Sequence, residues 1–344
     1  MRVGLIGLGA MGRVHFECWR KSAVAQLVAV SDRDPKKLAG QWAGREFNIG
    51  AQAQENVDLS ALGTYRRAED LIADPRVDTV DICMPTRLHA PLAVAALHAG
   101  KHVFCEKPMA LSVVDCVAME EAAKASGRHL MIGHCLRFWP QYVKAGELLQ
   151  GGEYGRTIYA DLHRVSPAPV WSDSDWYMKR EESGGVLDMH IHDVDVALWW
   201  FGLPQATVTG GCAPQGLPMI IDTAWRYEDG PVVHMHASWD RNGGTFRHAF
   251  RVVMEKGTLV HDLAVDPQAL RLLAGGQETL IPVGSESAYQ AELEYFATEI
   301  AVGRTPMRST ASAGRAAVEL ALEEIRQLEA WTPFGDGFMP ASSA

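Results

Sequence analysis

The chain has 344 residues, of which 47% are hydrophobic and 22% charged, with a formal net charge of −10. This is the balance of a globular protein long enough for two domains, and with no basic run or stripe it argues against nucleic acid as a partner. The longest apolar runs are strand-sized, which excludes a membrane helix, and the six cysteines form no C-x-x-C pair, so neither a disulfide framework nor a zinc site is expected of them.

The first twelve residues, MRVGLIGLGAMG, open on an apolar run, Val3 to Ile6, that reads as a buried strand. Gly7, Gly9 and Gly12 follow as G-x-G-x-x-G, and a helix-like segment, Arg13 to Lys21, comes next. Strand, glycines and helix in this order form the context of a dinucleotide-binding turn. Gly7 permits a tight turn, Gly9 lets a pyrophosphate approach the backbone, and Gly12 lets helix and strand pack closely. The phosphates would sit on the N–H groups of the helix start, at Gly9, Ala10, Met11 and Gly12. A strand beginning at residue 2, with no charged leader or cleavage signal, points to the cytoplasm.

The next strand, Gln26 to Ser31, ends at Asp32, 20 residues after Gly12. A carboxylate there can accept both ribose hydroxyls of the adenosine half and repels a 2′-phosphate, which favours NAD. Arg33 can pair with such a phosphate and leaves NADP open. Strands at 2–6, 26–31, 78–83, 102–105 and 129–133, with a short extended piece at Thr64 and Tyr65, alternate with helices at Met11–Lys21, Pro35–Arg45, Ala68–Ala73, Ala90–Ala99 and Val113–Ser126. That alternation implies a parallel sheet covered by helices on both faces. Phe47 to Gly63 is polar and irregular and reads as a loop or helical extension.

Met84, Pro85 and Thr86 fall at the carboxyl end of a strand, where ligands bind in open α/β sheets. His89 opens the following helix, as a ligand contact or as a helix cap. Glu106, Lys107 and Pro108 lie just past the strand at 102–105, and Pro108 imposes an extended backbone on Lys107. An ammonium group aimed from there into the cofactor cleft can donate to a substrate hydroxyl and favour its deprotonated form.

These motifs resemble the Gfo/Idh/MocA oxidoreductase family. The matching stretches are GLGAMG (7–12), the strand end at Asp32, CMPTRLHA (83–90), AGKHVFCEKPMA (99–110) and MIGHCLRFWP (131–140), the last with Arg137 and Phe138 in their usual places. The resemblance implies a Rossmann domain over 1–135 and an α+β domain over 136–344 with a large, mostly antiparallel open sheet. It implies NAD as cofactor, held by Gly7, Gly9, Ala10, Met11, Gly12, Asp32, Arg33, Met84, Pro85, Thr86, His89, Glu106, Lys107 and Arg137. It also implies a homodimer or homotetramer paired through the sheet.

After Leu136 strand-like stretches dominate: Thr157–Val165, Ala206–Gly210, Met219–Tyr227, Val232–Trp239, Phe246–Glu255 and Thr258–His261. Several alternate in polarity, as half-exposed antiparallel strands do. His234, His236 and Ser238 share one face, which reads as subunit contact or solvent face before it reads as a metal site. Helices Glu292–Val302 and Ala311–Glu329 close the chain, with a loose tail after Trp331.

The stretch ESGGVLDMHIHDVDVALWWFG, 182–202, carries Leu187, Ile191, Val194 and Leu198 at helical spacing. Asp188 and His192 lie four apart and share a face, a plausible general-base pair. In the resembling family the catalytic trio maps onto Lys107, Asp188 and His192, and His190 stands where glycine is common. Asp193 and Asp195 read as helix-surface charges or inter-domain contacts. In the loop 165–185, Trp171 and Trp176 are candidates to stack on a sugar, and Asp175 and Lys179, with Arg164 just before the loop, to bind hydroxyls or a carboxylate. The expected activity is hydride transfer between nicotinamide and a secondary alcohol of a cyclic polyol, sugar or sugar derivative. The alternatives are an NADP-dependent carbonyl-sugar reductase and a catalytically inactive NAD(P)-sensing regulator.

Overall fold

The computed structural model describes residues 1–42, 56–168, 175–240 and 244–330. Strand β1 (Arg2–Ile6) has Val3, Leu5 and Ile6 fully buried, so both of its faces are covered. After it come α1 (Ala10–Lys21), β2 (Gln26–Ser31), α2 (Pro35–Leu38), β3 (Gly63–Tyr65), α3 (Ala68–Ile72), β4 (Thr79–Ile82), α4 (His89–His98), β5 (His102–Glu106), α5 (Val113–Ser126) and β6 (Leu130–Gly133). The strands pair in parallel in the order β3-β2-β1-β4-β5-β6. This doubly wound order reverses between β1 and β4, where the carboxyl ends of open α/β sheets bind ligands.

The remaining elements are α6 (Pro140–Gly151), β7 (Thr157–Pro167), α7 (Arg180–Ser183), α8 (Leu187–Phe201), β8 (Ala206–Cys212), β9 (Ile220–Arg226), β10 (Val232–Asp240), β11 (Arg247–Met254), β12 (Thr258–Asp262), β13 (Leu270–Ala274), β14 (Gln277–Ile281), α9 (Ala288–Ala301) and α10 (Ala311–Ala330). Two compact units result. Met1–Lys144 groups with Gly284–Val318, and Tyr177–Val283 groups with the β7 segment and, among the described residues, Glu319–Ala330. A linear division near residue 135 does not contain the return of α9 to the first unit. Phe296 of α9 packs edge-on against Phe104, 5.5 Å between ring centres, in a core shared with Phe16 and Trp19 of α1.

The second unit is one eight-stranded sheet, ordered β14-β13-β12-β11-β7-β10-β9-β8, with every pair antiparallel except β7 with β10. On β7 the residues Ala160, Leu162, Arg164 and Ser166 are buried, while Tyr159, Asp161, His163 and Val165 face a half-open side. Helix α8 packs on β7 and β10 through Leu187, Ile191 and Val194, all fully buried and each worth about 1.5–3 kcal/mol. It stops at Gly202, whose φ of 78° L side chains rarely adopt.

Three differences from the sequence reading have physical causes. The helix expected over Pro35–Arg45 ends at Leu38, because Gly40 takes a φ of 76°. Strand β14 escapes the sequence pattern because it is exposed along nearly its whole length and lacks an alternating apolar face, and β13 is only five residues long. Helix α6 lies in a stretch for which no element was assigned. Most of the segment 47–63, residue Trp171 and the tail after Trp331 lie outside the described residues. No helix among the described residues is long and apolar enough to cross a membrane.

Candidate active-site residues

In the first unit the turn after β1 is built as its glycines require. Gly7 has a φ of 95°, and a Cβ there would stand 2.2 Å from the Cys83 carbonyl oxygen. A Cβ on Gly12 would stand 1.9 Å from the Gly7 oxygen, so the close packing of helix on turn forbids any larger residue. On Gly9 a Cβ would meet nothing within 4 Å. Gly9 caps α1 without a side-chain bond, so the N–H groups of Ala10 and Met11 start the helix uncapped. Asp32 closes the turn from β2: its Oδ2 accepts the Leu8 N–H at 2.8 Å and its Oδ1 the Asp34 N–H at 2.9 Å. Lys37 Nζ lies 3.9 Å from Asp32 Oδ2, and Arg33 is exposed. The Thr86 hydroxyl after β4 is buried with no hydrogen-bond partner among the described residues. An open turn, an uncapped helix start and an orphaned hydroxyl fit a dinucleotide laid across these strand ends.

His89 is a brace in this unit. Its Nδ1 lies 2.8 Å from the Pro108 carbonyl oxygen and its Nε2 2.7 Å from that of Met84, so it ties the loop after β5 to the loop after β4. Burial lowers its pKa, and a neutral ring donates to one of these carbonyls at a time. The Lys107–Pro108 peptide is cis, and Lys107 is half-buried at the end of β5 with its N–H on Glu106 Oε2 at 3.1 Å. Arg137 is buried; its Nη1 donates to the Arg308 carbonyl oxygen at 3.1 Å, and Arg308 Nε donates back to the Arg137 carbonyl oxygen at 2.7 Å. Its backbone and guanidinium thus join the segment before α10.

In the second unit, α8 buries every residue from Leu187 to Ala197 except two, Asp188 and His192. They lie one turn apart on a single face, and Asp188 stands in the first turn, where the helix dipole favours a carboxylate. The opposite faces of α8 are tied down by charge. Arg164 of β7 donates from Nε and Nη2 to the two oxygens of Asp193, each at 3.0 Å, and the pair is buried. His190 Nε2 lies 2.5 Å from Glu324 Oε2 of α10, while Trp225 and Thr223 donate to Glu324 Oε1.

These bonds correct two expectations. Asp193 and Asp195 are buried and are not surface charges. Arg164, expected at the substrate, has its guanidinium on Asp193, because a charge this deep needs a bidentate partner. Trp176 is half-buried and Lys179 exposed.

The open face of the large sheet matches histidines with carboxylates. His234 Nδ1 lies 3.0 Å from Asp161 Oδ1 and its Nε2 3.4 Å from Asp222 Oδ1, and His236 Nδ1 lies 3.1 Å from Asp222 Oδ2. Hydrogen bonds to Asp161 and then Asp222 raise His234 to about 9. Sequence reasoning missed His15, Asp81 and Glu292, which form a buried cluster in the first unit. Their signals were present: a charge inside the apolar strand VDICM, a histidine three residues past Gly12, and a glutamate beside Leu293 on a helix that buries both.

Comparison with known proteins adds to this geometry. Residues 1–134 match the model of an oxidoreductase family with an NAD-binding Rossmann fold (GFO_IDH_MocA), and residues 142–260 match the GFO/IDH/MocA C-terminal domain. A myo-inositol 2-dehydrogenase of Thermotoga maritima is 35% identical over 59% of this chain and 55% of its own length. An inositol 2-dehydrogenase of Acidothermus cellulolyticus is 28% identical over 95% of this chain and 93% of its own. The match spans about half of the Thermotoga relative and of two others, at 55%, 53% and 46% of their lengths. The crystal structure of an aldose–aldose oxidoreductase from Caulobacter crescentus, complexed with glycerol, superposes with a TM-score of 0.80 at 25% identity, covering 95% of this chain and 98% of that one.

Proposed function

The chain belongs to the Gfo/Idh/MocA family of oxidoreductases, and from that premise we propose that it is an NAD-dependent dehydrogenase of a secondary alcohol on a cyclic polyol, sugar or sugar derivative. The observation that carries the reading is the exposure pattern of α8, which leaves Asp188 and His192 alone accessible between Leu187 and Ala197. The imidazole of His192 takes the hydroxyl proton. Asp188, one turn earlier, orients that imidazole or holds a neighbouring hydroxyl. Lys107 Nζ donates to the same oxygen as negative charge develops on it. The chemistry supplied by bound NAD is acceptance of a hydride from the alcohol carbon. The glycine turn and Asp32 hold the adenosine and phosphate half, and Thr86 gives a hydroxyl to the rest.

Asp32 supports NAD over NADP, since its carboxylate would meet a 2′-phosphate as a like charge. The substrate class rests on the names of the inositol and sugar dehydrogenases among the relatives. Pairing of subunits through the open face of the large sheet is supported by Val208 and Val232, exposed there beside the histidine–aspartate cluster.

Nicotinamide reduction is followed with NAD and NADP over a panel of inositols, hexoses, pentoses and sugar acids, with wild type and Lys107→Ala side by side. Turnover by wild type with NAD, lost in the variant, is the expected result. Equal turnover by both proteins removes Lys107 from the reaction. Binding of NAD without turnover of any substrate favours a sensing role.

A further inference from the structure

Helix α9 turns one acidic side chain into the core of the first unit. Glu292 is fully buried, and neither of its carboxylate oxygens has a hydrogen-bond partner among the described residues. An ionised carboxylate is strongly disfavoured in that condition. One oxygen each from Glu292 and Glu106 and one ring nitrogen of His15 lie within 4.8 Å of one another.

The cluster continues through His15. Its Nε2 lies 3.2 Å from Glu106 Oε1, and its Nδ1 2.9 Å from Asp81 Oδ2, which also accepts the Trp19 Nε1–H at 2.6 Å. Three buried carboxyl groups therefore face one imidazole, with Lys107 next in the chain. If all three were ionised, His15 and Lys107 together would leave one negative charge unbalanced in the core. One proton on the glutamate pair balances it.

The environment says where that proton sits. Burial and then the charge of Glu106 raise Glu292 well above the ordinary range. Burial also opposes charge on Glu106, but His15 and Lys107 outweigh it and hold Glu106 low. Burial opposes charge on His15 too, and the carboxylate of Asp81 outweighs it. The other titratable groups that interact with Glu292 are neutral: Cys18 of α1, raised to about 11 chiefly by burial, and Tyr289 of α9, raised for the same reason.

We propose that Glu292 is a positioning residue, a carboxylic acid that keeps its proton beside Glu106 and so leaves Glu106 as the ionised carboxyl group that receives the Lys107 backbone N–H. This rests on the reading of Lys107 as the donor to the substrate oxygen. Glu292 enters from a helix 186 residues further along the chain, so the loop after β5 is held by a segment that local sequence does not reveal. The competing occupant of the same three donors is a divalent cation, which would keep Glu292 ionised.

The test compares full-length wild type with Glu292→Gln and Glu292→Leu. In urea unfolding from pH 5 to 7, unfolded wild type releases the Glu292 proton above about pH 4.3, while the folded chain keeps it. The folding constant of wild type relative to Glu292→Gln should then fall as the pH rises, by up to about tenfold per pH unit. Parallel pH dependence would overturn the proposal, as would about one equivalent of chelator-removable divalent metal per chain. In turnover, Glu292→Gln should keep kcat within about threefold with an unchanged pH profile, while Glu292→Leu should lose about tenfold or more in kcat with KM for NAD within about twofold. A leucine variant as active as wild type would overturn the positioning role. The unfolding readout does not pass through turnover, so it stands even if Lys107→Ala proves fully active and the dehydrogenase mechanism falls.

Discussion

Helices α8 and α1 both bury ionisable side chains, and they do so differently. Around α8 two buried carboxylates are closed: Asp193 holds Arg164 through two bonds, and Glu324 meets His190 Nε2 with one oxygen and Trp225 and Thr223 with the other, while His190 Nδ1 is buried with no hydrogen-bond partner among the described residues. On the inner side of α1, His15 stands between Asp81 and Glu106, and the acid beside them, Glu292, lacks any hydrogen-bond partner among the described residues. A closed carboxylate, with each oxygen held by a donor, fixes geometry. An open cluster has room for a proton, and its protonation can change. The closed arrangement suits a helix that must present Asp188 and His192 in one orientation. The open one would suit a loop whose lysine, as proposed, donates to a substrate oxygen.

The sharpest way to break this comparison is on the accessible face of α8. His192→Asn should lower turnover by about a hundred- to ten-thousand-fold and leave the Kd for NAD, measured by calorimetry, within about twofold. Retained turnover would remove the functional contrast between the two faces of the helix.

The next largest effect lies on the buried face. Arg164→Met strands the Asp193 carboxylate and should destabilise the protein by about 3–5 kcal/mol in urea unfolding. A shift below about 1 kcal/mol would mean that the ion pair does not anchor α8.

At the end of β2, Asp32→Ser replaces the carboxylate that accepts the Leu8 N–H with a shorter, neutral hydroxyl. It should cost about 1–3 kcal/mol of stability and narrow the difference between the Kd values for NAD and NADP by about tenfold. An unchanged ratio would show that Asp32 supports the turn without reading the ribose.

The smallest effect belongs to the open sheet face. The folded pKa of His234 is raised to about 9, against an unfolded value near 6.5. Its contribution is therefore fully present below about pH 6.5 and is lost as the pH rises through about 9. The side chain is half-exposed and screened, so His234→Gln should flatten that decline by no more than about 1 kcal/mol. Melting curves of the two proteins at pH 6 and pH 9.5 check the sign.

The sequence shows most where a local rule governs the structure. The turn at Gly7 to Gly12, the strand end at Asp32 and the helix Val113–Ser126 follow from glycine geometry, a single acceptor and a capped pattern ended by Gly127. The stripe Leu187, Ile191 and Val194 announces α8, and with it the shared face of Asp188 and His192. What stays hidden depends on pairing across the chain. Arg164 reads as a ligand residue until Asp193 is seen against it. His190 reads as a departure from a pattern until Glu324, 134 residues later, is placed on its ring. Glu292 reads only as the first residue of a closing helix until α9 is known to pack in the first unit.

The measurement that reaches the central claim most directly is the fate of the alcohol hydrogen. The protein is incubated with NAD and the polyol or sugar that turns over fastest, carrying deuterium on the oxidised carbon, and the reduced nicotinamide is analysed by mass. The account predicts one deuterium in each reduced nicotinamide, formed by wild type and about a hundredfold or more slowly by His192→Asn. Reduced nicotinamide without deuterium, or equal rates in the two proteins, would contradict it.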